Sequence, residues 1–232
     1  MDKILVACMD RRLNALVDTH NDGKTKILRN GGGDVSSLES SIRNGINENN
    51  INRILVLTHT DCGAMKVVYM ALKGETKVSG SISERVNPFR DLSHKDKAEL
   101  EKINEKLQND RLKVFEKLGI KIESELVDVT KLNIPEVDHD QNSLVVMRSS
   151  SKKYDEITML LRKPMFGTYF IQSDTIQEVI PDIEMAVTHL GIKSISFLST
   201  NSSEARQALT DFKMLKIEPF ITHEVRISTD RI

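Results

Sequence analysis

The chain has two cysteines in 232 residues, and each stands close to another residue able to bind a metal. LTHTDCGAMK, Leu57–Lys66, places His59 three positions before Cys62; CMDRR, Cys8–Arg12, places Asp10 two positions after Cys8. Zinc takes four ligands drawn from thiolate, imidazole and carboxylate, all four from the protein in a structural site and three in a catalytic one. Cys8, His59 and Cys62 supply three, and Asp10 is the nearby candidate for a fourth. Arg12 could instead hold the Asp10 carboxylate in a two-pronged pair, which would leave the fourth position to water. The metal would lower the pKa of that water from about 15.7 towards about 7, generating hydroxide at neutral pH. Two thiolates oppose this acidification, whereas the N-terminal dipole of a helix opening after Cys62 favours a developing anion.

These residues are far apart in sequence, so the argument for a site rests on the elements that would bring them together. KILVAC (3–8), KTKILRN (24–30) and RILVLTH (53–59) are short apolar runs of the kind that form parallel strands covered on both faces. Leu38, Ile42 and Ile46 form a helical stripe between the second and third runs. Alternating strand and helix predicts right-handed crossovers and a parallel α/β sheet with helices on both faces. With the strands in the order 2-1-3, a crevice opens at the carboxyl ends of the first and third, where Cys8, His59 and Cys62 converge. RNGGG (29–33), at the end of the second strand, offers either close backbone approach to that crevice or a flexible turn. A buried cysteine taken alone is usually just a small hydrophobe, and Met9 and Met65 read as packing.

HKDKAELEKINEKLQNDRLKVFEKLG (94–119) predicts a long helix with Ser93 as N-cap. Leu100, Ile103, Leu107, Val114 and Leu118 are its buried stripe, and its dense charges form a solvated face. Ile120 to Val129 alternates as an edge strand does, and NIPEVDHDQN (133–142) reads as a linker. Beyond it the pattern restarts. An offset of 141 aligns ILVACMDRR with VVMRSSSKK and pairs Ile42 with Ile183, Ile46 with Val187, Ile54 with Ile195 and Leu57 with Leu198, while TYFIQSD (168–174) needs a shift of two. The expectation is a degenerate duplication, with domains at 1–135 and 143–232; the alternative is periodicity common to any two α/β units. The ligands are not repeated: the same offset puts Ser149, Ser151, Thr200 and Ser203 where Cys8, Asp10, His59 and Cys62 stand.

CMDRR, RNGGGDV and HTDCGAMK, in that order and spacing, resemble the zinc-binding motifs of the β-class carbonic anhydrases, across roughly residues 3 to 130. The resemblance implies zinc on Cys8, His59 and Cys62, with Asp10 and Arg12 as the family's dyad. Its reaction is attack of zinc-bound hydroxide on carbon dioxide to give bicarbonate, and Asp can occupy the fourth zinc position in a closed, inactive state. The family's unit is typically a dimer with sites near the interface. A degenerate second half would supply that partner within one chain, a pseudo-dimer with one live site, and a further homo-oligomer stays open. Arg11 departs from the small residue common in the family, and Gly32 from a frequent alanine. Hydrolysis of carbonyl sulfide or carbon disulfide, linear isosteres that some relatives attack, is a second enzymatic reading. A non-catalytic zinc protein closed by Asp10, serving assembly or regulation, is a reading from another class. A reactive thiol pair would leave His59, Asp10 and Arg12 without a role.

Composition sets outer bounds. Hydrophobic residues at 39% suffice for a core, and 33 Lys and Arg against 34 Asp and Glu give a net charge of −1, which recommends neither nucleic acid nor an acidic membrane. No apolar segment reaches the ~20 residues of a spanning helix. DKILVAC directly after Met1 and the low cysteine count predict a cytoplasmic chain without a disulfide framework. Of the other histidines, His139 reads as part of a polar linker, and His20, His94, His189 and His223 have no partners visible in sequence; His20 is a possible proton shuttle or a surface residue. RSSSKK (148–153) is the eroded counterpart of CMDRR.

Overall fold

The three apolar runs form β1 (Lys3–Cys8), β2 (Thr25–Asn30) and β3 (Arg53–His59), mutually parallel with β1 in the middle. Helices cover both faces, which is why these strands need no polar alternation. β2 is buried along its whole length, and Lys26 within it is neutralised by Asp174 at 2.7 Å. Helix α1 (Asn14–His20) follows β1. Helix α2 (Glu39–Glu48) connects β2 to β3 and sets Leu38 and Ile42 into the core. Helices α3 (Gly63–Leu72), α4 (Gly80–Val86) and α5 (Lys97–Leu112) precede β4 (Lys121–Val127), the edge strand that the alternation predicts, parallel to β3.

Helix α5 departs from expectation in three ways. Its N-cap is Asp96, not Ser93: the Asp96 carboxylate accepts the Glu99 N–H and the Glu99 carboxylate accepts the Asp96 N–H, a reciprocal capping box. Beyond Leu112 the chain tightens into 3-10 turns over Lys113–Leu118, closed by Gly119 at φ +76. That change of period turns Val114 and Leu118 outward, 51% and 64% exposed, and gives the core positions to Leu112 and Phe115. Finally, the charged helix is not solvated all round, because Glu101, Asn104 and Gln108 are buried.

The computed structural model describes residues 1–136, 142–148, 153–192, 194–199, 210 and 222–227. The later elements are β5 (Ser143–Met147), α6 (Tyr154–Leu161), β6 (Thr168–Gln172), α7 (Ile180–His189), β7 (Ser194–Ser199) and β8 (Thr222–Ile227). One sheet of eight strands results, in the order β4-β3-β1-β2-β6-β5-β7-β8. Neighbours run parallel except at the centre, where β2 meets β6 antiparallel with Arg29 opposite Gln172. The sheet is therefore mixed, and reading outward from that junction gives matching sequences of strands, β2-β1-β3-β4 and β6-β5-β7-β8. Buried apolar side chains of both halves form one continuous core.

The registers match too. Lys3, Thr25, Arg53 and Lys121 lie abreast, as do Ser143, Thr168, Ser194 and Thr222. The offset of 141 therefore holds for β3 with β7 but is 140 for β1 with β5, which corrects the alignment of the first strand: Ala7 takes the place of Met147 rather than Arg148. A gapless comparison misses this because every position of both strands from Ile4 and Ser143 onward is buried and apolar matches abound. His139, Ser149 to Lys152, Thr200 and Ser203 lie outside the described residues. No helix among the described residues is long and apolar enough to cross a membrane.

Candidate metal centre

Cys8 ends β1, His59 ends β3, and Cys62 stands at the N-cap of α3. The turn between them passes through Asp61 at φ +54, a conformation that Asp tolerates better than most side chains. All three residues are buried, and among the described residues they are the one group of three or more His, Cys, Asp or Glu arranged to hold a metal ion. Their ligand atoms lie within 4.8 Å of one another, and the two Sγ atoms are 3.8 Å apart.

The donor chemistry fits zinc. His59 Nδ1 lies 2.9 Å from the Thr60 carbonyl, a partner that only an N–H can satisfy, so the ring in its neutral form carries its lone pair at Nε2. That Nε2 is buried without a hydrogen-bond partner, an arrangement that costs free energy unless something electron-poor occupies the space it faces. Charge points the same way. Burial resists the Cys8 thiolate, but a hydrogen bond from Cys62 and the neighbouring His59 bring its pKa well below the usual thiol value. Burial likewise opposes a charged His59, yet the Cys8 thiolate and Asp10 push it up to about 9. Cys62 is pushed up by its hydrogen bond to Cys8 and by burial. The metal-free cluster thus gathers negative charge around an imidazole that protonates to balance it, and a divalent cation supplies the same balance.

The surrounding shell comes from loops and from the polar side of α5. Gly32 N–H donates to Cys8 Sγ at 3.3 Å, and Cys62 N–H donates to Glu101 Oε1 at 2.9 Å. Asn104 donates to the Gly32 carbonyl at 2.9 Å, and Gln108 accepts the Val35 N–H at 3.0 Å. Glu101, Asn104 and Gln108 at i, i+3 and i+7 therefore pin both ligand loops from one helix face. Sequence reasoning missed them, although that spacing inside EKINEKLQ is the signal that could have found them. Gly32 itself sits at φ +72, where a side chain would be strained.

Arg29, the first residue of RNGGG, is fully buried. It donates to the Cys8 carbonyl from Nε at 3.0 Å and Nη2 at 2.8 Å, to the Asp10 carbonyl at 2.8 Å and to Asn14 Oδ1 at 2.6 Å. Its guanidinium lies 5.0 Å from the centre of the Tyr154 ring, and Asn14 reaches on to the carbonyls of Met165 and Thr168. Second-half residues so brace the chain on either side of Cys8. Asp182 adds another brace by accepting the Gly31 N–H at 2.8 Å.

Asp10 and Arg12 form a forked pair, with Nε to Oδ1 at 3.0 Å, Nη2 to Oδ2 at 2.8 Å, and the Arg12 backbone N–H to Oδ1 at 2.9 Å. Burial opposes charge on Asp10, but the Arg12 fork and His59 hold its pKa below the usual carboxylate value. Arg12 also donates to Asp61 Oδ2 at 3.0 Å and to the Asp61 carbonyl at 2.8 Å. Asp10 Oδ2 lies 3.7 Å from His59 Nε2, close to the cluster but outside the ligand set. Above the cluster opens a cavity of about 380 Å³, walled by Cys8, Asp10 and Lys66 from the first half, by Asn142 at the end of the linker, and by Tyr169 and His189 from the second half. His189 thus joins the site although its sequence context gave no hint, whereas His20 sits on the last turn of α1 and His94 on the surface.

Residues 3–147 match a family model described as carbonic anhydrase. Among solved structures, a tetrameric β-carbonic anhydrase of Sordaria macrospora is similar over 59% of this chain and 80% of its own, with 14% identity and a TM-score of 0.45. The β-carbonic anhydrase CafA of Aspergillus fumigatus is similar over 59% and 75%, at 16% identity and a TM-score of 0.43. A carbonic anhydrase of Glaciozyma antarctica is similar over 56% and 77%, at 22% identity and a TM-score of 0.35. No curated protein matches the chain.

Proposed function

The chain belongs to the carbonic anhydrase family, and from that premise we propose that it hydrates carbon dioxide reversibly to bicarbonate, with zinc held by Cys8, His59 and Cys62. The observation that carries the reading is the unpartnered His59 Nε2, buried beside two thiols with its other ring nitrogen already engaged. Zinc bound there would acidify water and so supply a nucleophile at neutral pH.

The protein's own groups do the rest. Thr60 fixes the His59 ring, and Gly32 and Glu101 fix the two cysteines. Asp10, kept ionised by Arg12, accepts a hydrogen bond from the attacking water and so orients it. Arg12, spanning Asp10 and Asp61, keeps the Asp10 carboxylate from turning onto the ligand set. A site closed by Asp10 would need that fork undone, and this favours the catalytic reading over a purely structural zinc.

The second half acts in this proposal as an intramolecular partner, a degenerate copy that retains strand order and register and lends walls to the one live cavity. The matching registers on either side of the β2–β6 junction support it.

Metal analysis and gas turnover test the proposal together. One zinc per chain is expected, with Cys62→Ala losing the metal and at least about 10³-fold in carbon dioxide hydration. Activity unchanged by Cys62→Ala would sink the assignment. Turnover of carbonyl sulfide or carbon disulfide in preference to carbon dioxide would move the substrate to those isosteres. Two zinc ions per chain would contradict a metal-free second half.

A further inference from the structure

Two thiolates in a ligand set feed charge to a metal and work against the acidification of its water, so a group that draws charge off a sulfur favours catalysis. The Cys8 sulfur has such a group. The Gly32 N–H donates to Cys8 Sγ at 3.3 Å, and the carbonyl of the same peptide unit, that of Gly31, accepts from Arg85 Nη1 at 3.2 Å. One planar amide therefore has the sulfur at one end and a guanidinium at the other. A cation on the carbonyl oxygen pulls electron density through the amide and strengthens its N–H as a donor, since hydrogen bonds in series polarise one another by roughly 10–30% each.

Arg85 is held for this position. It stands in the last turn of α4 with its side chain 9% exposed, Nη1 on Asp34 Oδ2 at 2.8 Å and Nη2 on Asp182 Oδ2 at 2.5 Å. Nη2 also donates to Ser37 Oγ at 3.0 Å. Asp182, from α7 in the second half, accepts the Gly31 N–H at 2.8 Å with its other oxygen, and Asn104 holds the Gly32 carbonyl at 2.9 Å, so the amide is fixed from both sides. Arg111 meets Asp34 Oδ1 at 2.7 Å, one step further from the sulfur. We infer that Arg85 is a positioning residue that, through the Gly31–Gly32 amide, reduces the charge Cys8 Sγ gives to a bound metal, with Asp182 holding it in place. This role, which rests on the metal-centre reading above, gives the second half a part in the electronics of the site as well as in its walls.

Cobalt(II) in place of zinc reports on the sulfurs through its thiolate-to-metal charge-transfer absorption, and the Gly32 amide proton reports on the hydrogen bond through its NMR shift in the zinc-loaded protein. Arg85→Gln, which removes the cation, should move the absorption to longer wavelength and the Gly32 proton upfield. Arg111→Gln, which loosens the same chain of charges away from the amide, should leave both in place. Asp182→Asn keeps an oxygen for the Gly31 N–H but loses the charge that holds Arg85, so smaller shifts in the same directions are expected, and this variant carries the test if Arg85→Gln does not fold. Either signal unmoved in the variant that carries the test overturns the inference. Equal shifts in Arg85→Gln and Arg111→Gln make Arg85 merely structural and also overturn it. A cobalt-loaded wild type without thiolate charge transfer removes the metal centre itself, and the role of Arg85 with it.

Discussion

Arg29 and Gln172 face each other across the one antiparallel pairing in the sheet and occupy matching places in their halves, Arg29 beside Ala7 of β1 and Gln172 beside Met147 of β5. Their work differs. Arg29 gathers the carbonyls of Cys8 and Asp10 and so shapes the turn that carries the candidate ligand Cys8. Gln172 accepts a hydrogen bond from the Tyr154 hydroxyl, and the same Tyr154 ring lies against Arg29. Both are buried, so the strand framework is alike on the two sides while the polar groups serve only one of them. A sheet can keep its order and register through apolar burial alone, whereas ligand geometry needs specific hydrogen bonds that drift freely once no metal depends on them.

The sharpest way to break this difference is Arg29→Gln, which makes the two sides of the junction alike. It strips partners from two buried carbonyls and should cost about 3 kcal/mol or more in urea unfolding while weakening zinc retention; unchanged stability and zinc content would mean that Arg29 is not the brace. Gly31→Ala tests how tightly the halves meet. The added Cβ would overlap the Met185 methyl and lie 2.8 Å from Asp182 Oδ1, so a loss of about 1–3 kcal/mol is expected. Gly80→Ala, with open space around the new methyl, should stay within about 0.5 kcal/mol. Equal effects at the two glycines would argue against a close fit.

The smallest effect concerns pH. Burial pushes the Asp182 carboxyl up to about 6, against the pull of Arg85, which it shares with Asp34. The folded chain then binds a proton that the unfolded chain has lost between about pH 4 and pH 6. This group's contribution to stability is therefore fully present below about 4 and is lost as pH rises through 6. Asp182→Asn removes that titration, so the variant should gain on the wild type between pH 4.5 and pH 7 in parallel unfolding curves, whatever the fixed offset between them. A constant offset across that interval would show that Asp182 does not titrate there.

Much of this was legible in the sequence. Apolar runs located β1, β2 and β3, alternation located β4, and the crossover argument brought Cys8, His59 and Cys62 to one crevice because strand ends are set by periodicity, which single residues carry. Long-range polar pairing was not legible. Nothing local marks Glu101 as the acceptor for the Cys62 N–H or His189 as a wall of the cavity, since each depends on how distant elements pack. The Ser93 cap was a local misreading of another sort: Asp96 and Glu99 form the reciprocal box further on, and its Asp-x-x-Glu spacing stood in the sequence. The junction between β2 and β6 was hidden because both strands are buried throughout most of their length, leaving no polar edge to announce which neighbour they take.

Tyr169 and His189 belong to the same polypeptide as Cys8 and His59. A cavity walled by two separate chains empties of half its lining on dilution, as mass action dictates. Here the far wall is tethered at a high effective concentration, so the lining that Tyr169 and His189 give the cavity does not depend on dilution.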